Sequence, residues 1–292
     1  AMNTYAWLIK REFWENRAIW VVPSVIGVLL VLLALFGRGQ FITLTTPQQS
    51  HVVGQMVLSA FGVTFFVVMS IYSTWYLLDC LYGDRKDRSV LFWKSLPISD
   101  TATVLSKLLV ALIVIPLVYF VAADVTTLLI AFIVSVRASA ALGGALWHAD
   151  LWLQLQILWL YVIITTAIWF LPVAAWLMVI SAWAKRAVML WTVLPPLALY
   201  LGERWIFGTR YVAVALHDRL LGYAPQAFHT GADSSFWITT TFDKDQIITP
   251  SSIWALLDPA GFFSSPQTWI GVAVGAALVA GAIQLRLRRT EI

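Results

Sequence analysis

The chain contains one cysteine, Cys80. No disulfide can form within it, and any exported loop must be ordered by packing and hydrogen bonds alone. Charge is also scarce: Asp, Glu, Lys and Arg make up 12% of the 292 residues, roughly half the share found in soluble domains. No G-x-x-x-x-G-K-[ST] sequence occurs, so the chain lacks the usual phosphate cradle and is not expected to hydrolyse nucleotides itself. H-E-x-x-H and G-x-S-x-G are missing too, which leaves hydrolytic chemistry without a motif. The four histidines, His51, His148, His217 and His229, show no metal-ligand spacing. We therefore expect no catalytic residue, no metal and no cofactor in this chain.

What the sequence does have is apolar length. Hydrophobic residues make up 60% of the chain, which points to the bilayer as its solvent. A helix needs roughly 20 apolar residues to cross the hydrocarbon core. Six runs approach that length: 18–36, 56–78, 108–134, 157–183, 187–201 and 269–285. Trp20, Trp75, Trp183, Trp191 and Trp269 fall near their predicted ends, as expected of an interfacial belt. The first run is too long for a signal-peptide core and ends in Ala34-Leu35-Phe36-Gly37, so it reads as an uncleaved span. The fifth is short and carries Pro195-Pro196, which predicts a broken or kinked helix shielded by its neighbours. The fold class is an all-α membrane protein of about six transmembrane helices, with residues 1–292 forming one domain.

Thirteen of the nineteen Lys and Arg residues fall at the N-terminus, in the second and fourth loops and in the tail. By the positive-inside rule both termini are cytoplasmic, as in a multi-pass protein of a bacterial inner membrane. The net charge of +4 follows from that asymmetry, and no nucleic-acid partner is implied. Residues 202–268 form the one large extracytoplasmic segment. It is rich in aromatics, with a helix predicted over Tyr211–Leu221, a β-prone stretch over Phe236–Thr241 and a short helix over Ser252–Leu257. A small ordered cap or re-entrant element is expected there.

Two stretches carry amphipathic patterns. Residues 1–17 read as an interfacial helix, with Tyr5, Ala6, Ile9 and Phe13 on one face and Arg11 and Glu15 opposite; Trp7 and Trp14 lie outside the apolar stripe and Asn16 inside it. The loop at 80–100 sets the charges Asp84 to Arg88 beside an apolar patch of Val90, Leu91, Phe92 and Trp93, followed by Lys94. Pro97 ends any helix there, and Ser99 or Asp100 is placed to cap the next span. Exposed aromatics on a short loop mark a protein partner or a membrane surface.

The segment YGDRKDRSVLFWKSLPISDTATVLSKLL resembles the stretch after the second span of type-2 ATP-binding-cassette (ABC) permeases. The opening LIKREFWENR and the ending SPQTWIGVAVGAALVAGAIQLRLRR are similar to the same family. The resemblance covers both ends and the early middle and is weak from about 137 to 259. It implies that the N-terminal segment is a connecting helix and that the loop is a coupling helix seated on a separate ATPase subunit. On that basis Asp84, Arg85, Arg88, Phe92, Trp93 and Lys94 are the expected ATPase contacts, and Trp7, Arg11, Glu12 and Phe13 belong to the interfacial helix. ATP and Mg would be bound by the partner ATPase, and a second permease chain, identical or paralogous, would complete the pathway.

Asp124 lies deep in the third run, where an acid is by default a functional candidate; the alternative is a carboxyl satisfied by Thr126, Thr127 or another helix. Thr165 and Thr166, ahead of Pro172, are expected to bond their own helix backbone. Gly271 and Gly275 form a G-x-x-x-G pair suited to close helix packing, with a dimer seam as one setting. Three function classes follow. The first is an ABC permease, with export as the expected direction; the second is a self-contained ion-coupled secondary transporter or channel using Asp124; the third is a scaffold or sensor subunit.

Overall fold

Leu33, Phe36, Ile71, Val121, Phe132 and Val136 are each more than half exposed. In water such a surface would drive association. Against lipid tails it is the expected outer face of a bundle, since helices satisfy their own backbone groups and need no polar coat.

The computed structural model describes residues 4–37, 47–87, 98–137, 143–144, 146–229, 242–243, 246–247 and 253–288. Helix α1 (Thr4–Glu15) leads into α2 (Ala18–Phe36), α3 (Pro47–Asp79) and the short α4 (Tyr82–Lys86). Helix α5 (Asp100–Leu109) passes through a π turn at Val110–Val114 into α6 (Ile115–Arg137). Next come α7 (Ala149–Trp169), α8 (Leu171–Trp183), α9 (Val188–Gly202), a second π turn at Glu203–Phe207, α10 (Tyr211–Leu221) and α11 (Tyr223–Ala227). A two-residue pairing of Phe242–Asp243 with Gln246–Ile247 precedes α12 (Ile253–Leu256), α13 (Pro259–Ser264) and α14 (Pro266–Arg288).

Among the described residues, five helical stretches are long and apolar enough to cross a membrane: Ala18–Phe36, Leu58–Lys86, Asp100–Arg137, Ala149–Trp169 and Pro266–Arg288. Six were expected. The run expected at 157–183 is divided between α7 and α8, because Pro172 enters at the second position of α8 with no N–H to give to the preceding turn. The run at 187–201 forms α9, which has 15 residues and so a length of about 22 Å, short of the roughly 30 Å core.

Other prolines are absorbed into their helices. Helix α9 is continuous through Pro195 and Pro196 rather than broken there, and it contributes no buried residue, so the expected shielding by its neighbours is not found among the described residues. Pro196 leaves the Thr192 carbonyl without its helical donor, and the Trp176 indole N–H from α8 donates to that oxygen at 3.3 Å. Pro116 follows the π turn, whose wider loop lets the ring clear the carbonyl of the previous turn; the Ile115 N–H reaches back to Val110. Thr165 and Thr166 donate to the Tyr161 and Val162 carbonyls at 2.7 and 2.5 Å, which is the backbone role expected of them.

The main core gathers Phe65, Tyr76, Val104, Ile115, Tyr119, Ala175 and Met178 from α3, α5, α6 and α8. A satellite cluster of Trp169, Ala227, Phe228 and Phe262 fastens α11 and α13 to α7. The Tyr161 hydroxyl donates to the Ala227 carbonyl at 2.6 Å, and Phe228 bridges to Leu257. These contacts order the described part of the 202–268 segment; the predicted strand at 236–241 lies outside the described residues. Arg137 donates to the Ala34 and Leu35 carbonyls at 2.6 and 2.7 Å, closing the last turn of α2.

The glycine pair packs within the chain. A Cβ at Gly275 would stand 2.7 Å from Leu171 Cγ and 3.1 Å from Pro172 N, so α8 and α14 meet through this absent side chain. Gly275→Ala is expected to lower stability by about 1–3 kcal/mol. Gly281→Ala, where nothing lies within 4 Å, should leave melting in detergent unchanged.

Candidate functional site

In α1, Leu8, Arg11, Glu12 and Glu15 follow helical spacings of three and four and share one face. Leu8 and Glu12 are fully buried and Arg11 is 7% exposed. Arg11, expected on the face opposite Ile9 and Phe13, is thus turned into the protein, while Ala6 and Glu15 are exposed and Ile9 is only partly buried. Phe13 is only partly buried against the core, while Trp7 and Trp14 are exposed, with the Lys10 ammonium 5.1 Å from the Trp14 ring centroid. The charged face of α1 is the one that docks.

It docks because the bundle base offers matching charge. Arg11 contacts Glu15 at 3.4 Å and Glu12 at 2.8 Å. Lys107 of α5 lies 3.0 Å from Glu12 and 3.5 Å from Asp84. Arg286, near the end of α14, lies 3.2 Å from Asp84 and 2.9 Å from Asp100. Seven side chains therefore alternate in sign from Glu15 through Arg11, Glu12, Lys107, Asp84 and Arg286 to Asp100. Each cation touches two carboxylates, which is the condition under which buried charge is tolerable. The Tyr76 hydroxyl and the Asn16 amide donate to the second oxygen of Glu12 at 2.8 and 3.2 Å. Burial alone would raise the Glu12 carboxyl, but Lys107, Arg11 and Tyr76 together outweigh it and hold it at about 2.

Arg85 points the other way. It is 4% exposed, and its Nη2 donates to the Ser181 and Ala184 carbonyls at 2.7 and 2.8 Å, capping the end of α8. The Ser181 hydroxyl accepts the Leu81 and Tyr82 N–H groups at 3.1 and 3.0 Å, so α4 is fastened to α8 from both directions. Three residues on, Ala187 adopts a left-handed conformation with φ 52°, a strained corner for a residue with a Cβ.

Among the expected loop residues, Asp84 and Arg85 are thus engaged inside the chain. Arg88, Phe92, Trp93 and Lys94 lie outside the described residues. Both ends of their loop are nonetheless placed. Ser99 caps α5, its hydroxyl accepting the Ala102 N–H at 3.1 Å, and Asp100 pairs with Arg286. One guanidinium therefore clamps Asp84 before the loop and Asp100 after it. The same ion pairs join the two ends of the loop to α1 through Lys107 and Glu12, and to α14 through Arg286.

Sequence reasoning missed Lys107, Arg286, Tyr76 and Ser181 as parts of this site. Lys107 and Arg286 were counted only as loop and tail charges that set orientation. The available signal was that each sits one helical turn or less from an apolar run, with an acid as the nearest unlike charge.

Asp124 receives a hydrogen bond from the Gln156 amide of α7 at 2.5 Å. Thr126, proposed as its partner, instead donates to the Ala122 carbonyl at 2.7 Å. The pair lines a small cavity of about 170 Å³ with Ser59, Gly62 and Trp159. Gly271 is covered by the Arg219 guanidinium, which a Cβ there would overlap.

Comparison of the chain with protein-family models, curated proteins and solved structures finds no match.

Proposed function

We propose that the chain is the membrane-embedded subunit of an ABC transporter, driven by a separate ATPase that docks on the loop between Asp84 and Asp100. The observation that carries this reading is the clamp by Arg286 on both ends of that loop. A solvated loop needs no such anchor, whereas a loop that receives force must be joined rigidly to the helices it moves. Asp84 and Arg85 serve as the anchor, and Phe92 and Trp93 as the surface offered to the partner, with Arg88 and Lys94 at its rim. In this reading α1 is a connecting helix locked to the base by Glu12.

The same reading has six crossings, the fourth made by α7 and α8 together and the fifth by α9 with its π turn. The charged base is then cytoplasmic, and the membrane is the bacterial inner membrane. ATP and Mg belong to the partner, a second permease chain completes the path, and export is the direction. The rival reading, ion-coupled transport through Asp124, is weakened by Gln156, which gives the carboxylate a partner within the chain.

The test is a mild-detergent pull-down of the tagged chain from its native membranes. A stoichiometric Walker-motif ATPase is expected to co-purify, and Phe92→Ala with Trp93→Ala should weaken its retention roughly thirtyfold or more, as for interface hot spots. Recovery of the chain alone, or a complex indifferent to both substitutions, would overturn the proposal.

A further inference from the structure

Helix α9 contributes no buried residue. Between it and α10 on one side and α8 and α14 on the other lies a cavity of about 1260 Å³, larger than the roughly 300–1,000 Å³ of most small-molecule sites. Trp176, Leu177, Val193, Leu197, Val274 and Leu278 form its apolar walls. The charged residues of its lining, Arg210, Asp218 and Arg219, all belong to α10 and the residue before it. The cavity is therefore large and apolar, with its charged residues gathered at α10, which is the polarity of a lipid site.

Arg219 is built into that charged lining. Its main-chain carbonyl accepts the Trp169 indole N–H at 3.0 Å, and its guanidinium carbon lies 4.5 Å from the Trp169 ring centroid. Nη1 donates to the Gln267 carbonyl at 3.3 Å. Nη2 is enclosed against Gly271 and has no hydrogen-bond partner among the described residues. That enclosure fixes the guanidinium in place, and because the Arg219 side chain is only partly buried and lines the cavity, its remaining N–H groups are offered there to an anionic oxygen. Gly271 lies five residues into α14, about 8 Å from its start, so the site is at headgroup depth if the helix spans the membrane. Asp218, which lies in the same charged lining 3.4 Å from His217, disfavours a doubly charged head.

We propose that this cavity binds an anionic phospholipid from the surrounding bilayer, its phosphodiester against Arg219 and one acyl chain along α8, α9 and α14. Arginine is suited to this because its planar fork matches phosphate oxygens. The inference is independent of the coupling loop and holds whether or not an ATPase docks there.

The test titrates the purified full chain with phosphatidylglycerol, phosphatidylcholine of the same acyl chains, and glycerol 3-phosphate, counting bound ligand by native mass spectrometry. Phosphatidylglycerol is expected to bind roughly tenfold tighter than phosphatidylcholine, with glycerol 3-phosphate failing to compete. Arg219→Gln should erase the headgroup preference, and Val274→Trp should weaken both lipids alike by filling the groove. Equal binding of the two lipids to the unaltered protein, a comparison that needs no variant, overturns the proposal. So do a preference that survives Arg219→Gln and full competition by glycerol 3-phosphate.

Discussion

Lys107→Met is expected to destabilise the protein by about 3–5 kcal/mol, the range found when one partner of a buried ion pair is removed. Lys107 is 2% exposed and stands between Glu12 and Asp84. Methionine fills nearly the same volume, so the loss measures charge rather than packing. Asp84 keeps Arg286 and Glu12 keeps Arg11, which makes Glu12 the more damaged of the two because it is fully enclosed. Unfolding in detergent, followed by tryptophan fluorescence, reads the effect. Adding Glu12→Gln to Lys107→Met should then cost less than Glu12→Gln alone, by at least about 1 kcal/mol in a double-mutant cycle. A loss under about 1 kcal/mol for the single variant would place the network in the class of solvated surface pairs and remove it as a rigid coupling element.

The second large effect is acid lability. The folded Glu12 carboxyl sits near 2, below the ordinary 4.5, so its ionised form is favoured by folding. Its contribution is fully present above about pH 4.5 and is lost as pH falls towards 2, amounting to roughly 3 kcal/mol in all. Glu15 acts in the opposite sense, since partial burial raises its carboxyl, but its side chain is 43% exposed and solvent screening keeps that term small. Melting temperatures between pH 6 and pH 3 should therefore fall steeply in the unaltered protein. Glu12→Gln should start lower and lose less over the same interval; an unchanged slope in that variant would assign the acid sensitivity to other groups.

Much of the helix plan was legible in the sequence. Ala18–Phe36 and Tyr211–Leu221 match helices residue for residue, the first because an apolar run bounded by Arg17 and Gly37 has no other length. The division at Pro172 was harder to see, because Phe170 and Leu171 are as apolar as the residues on either side and only the missing N–H interrupts the run. The fate of Pro195-Pro196 was not legible: whether α9 breaks depends on a donor for the Thr192 carbonyl, and that donor, Trp176, comes from another helix.

The site was half legible. Charge density around Asp84 and the cap at Ser99 mark the loop as special from sequence alone. That Asp84 and Arg85 turn inward was not readable, because the partners that hold them, Lys107, Arg286, Ser181 and Ala184, lie 23 to 202 residues away.

The sequence by itself determined the solvent of this protein and its helical class, because hydrophobic length is a local property that the bilayer reads directly. Tertiary structure alone decided which face of α1 is buried, which charges are partners and which glycine accepts which neighbour. Those outcomes depend on groups converging at one end of the bundle from distant parts of the chain. A buried charge settles where its counter-charge is found, and no local pattern records that place.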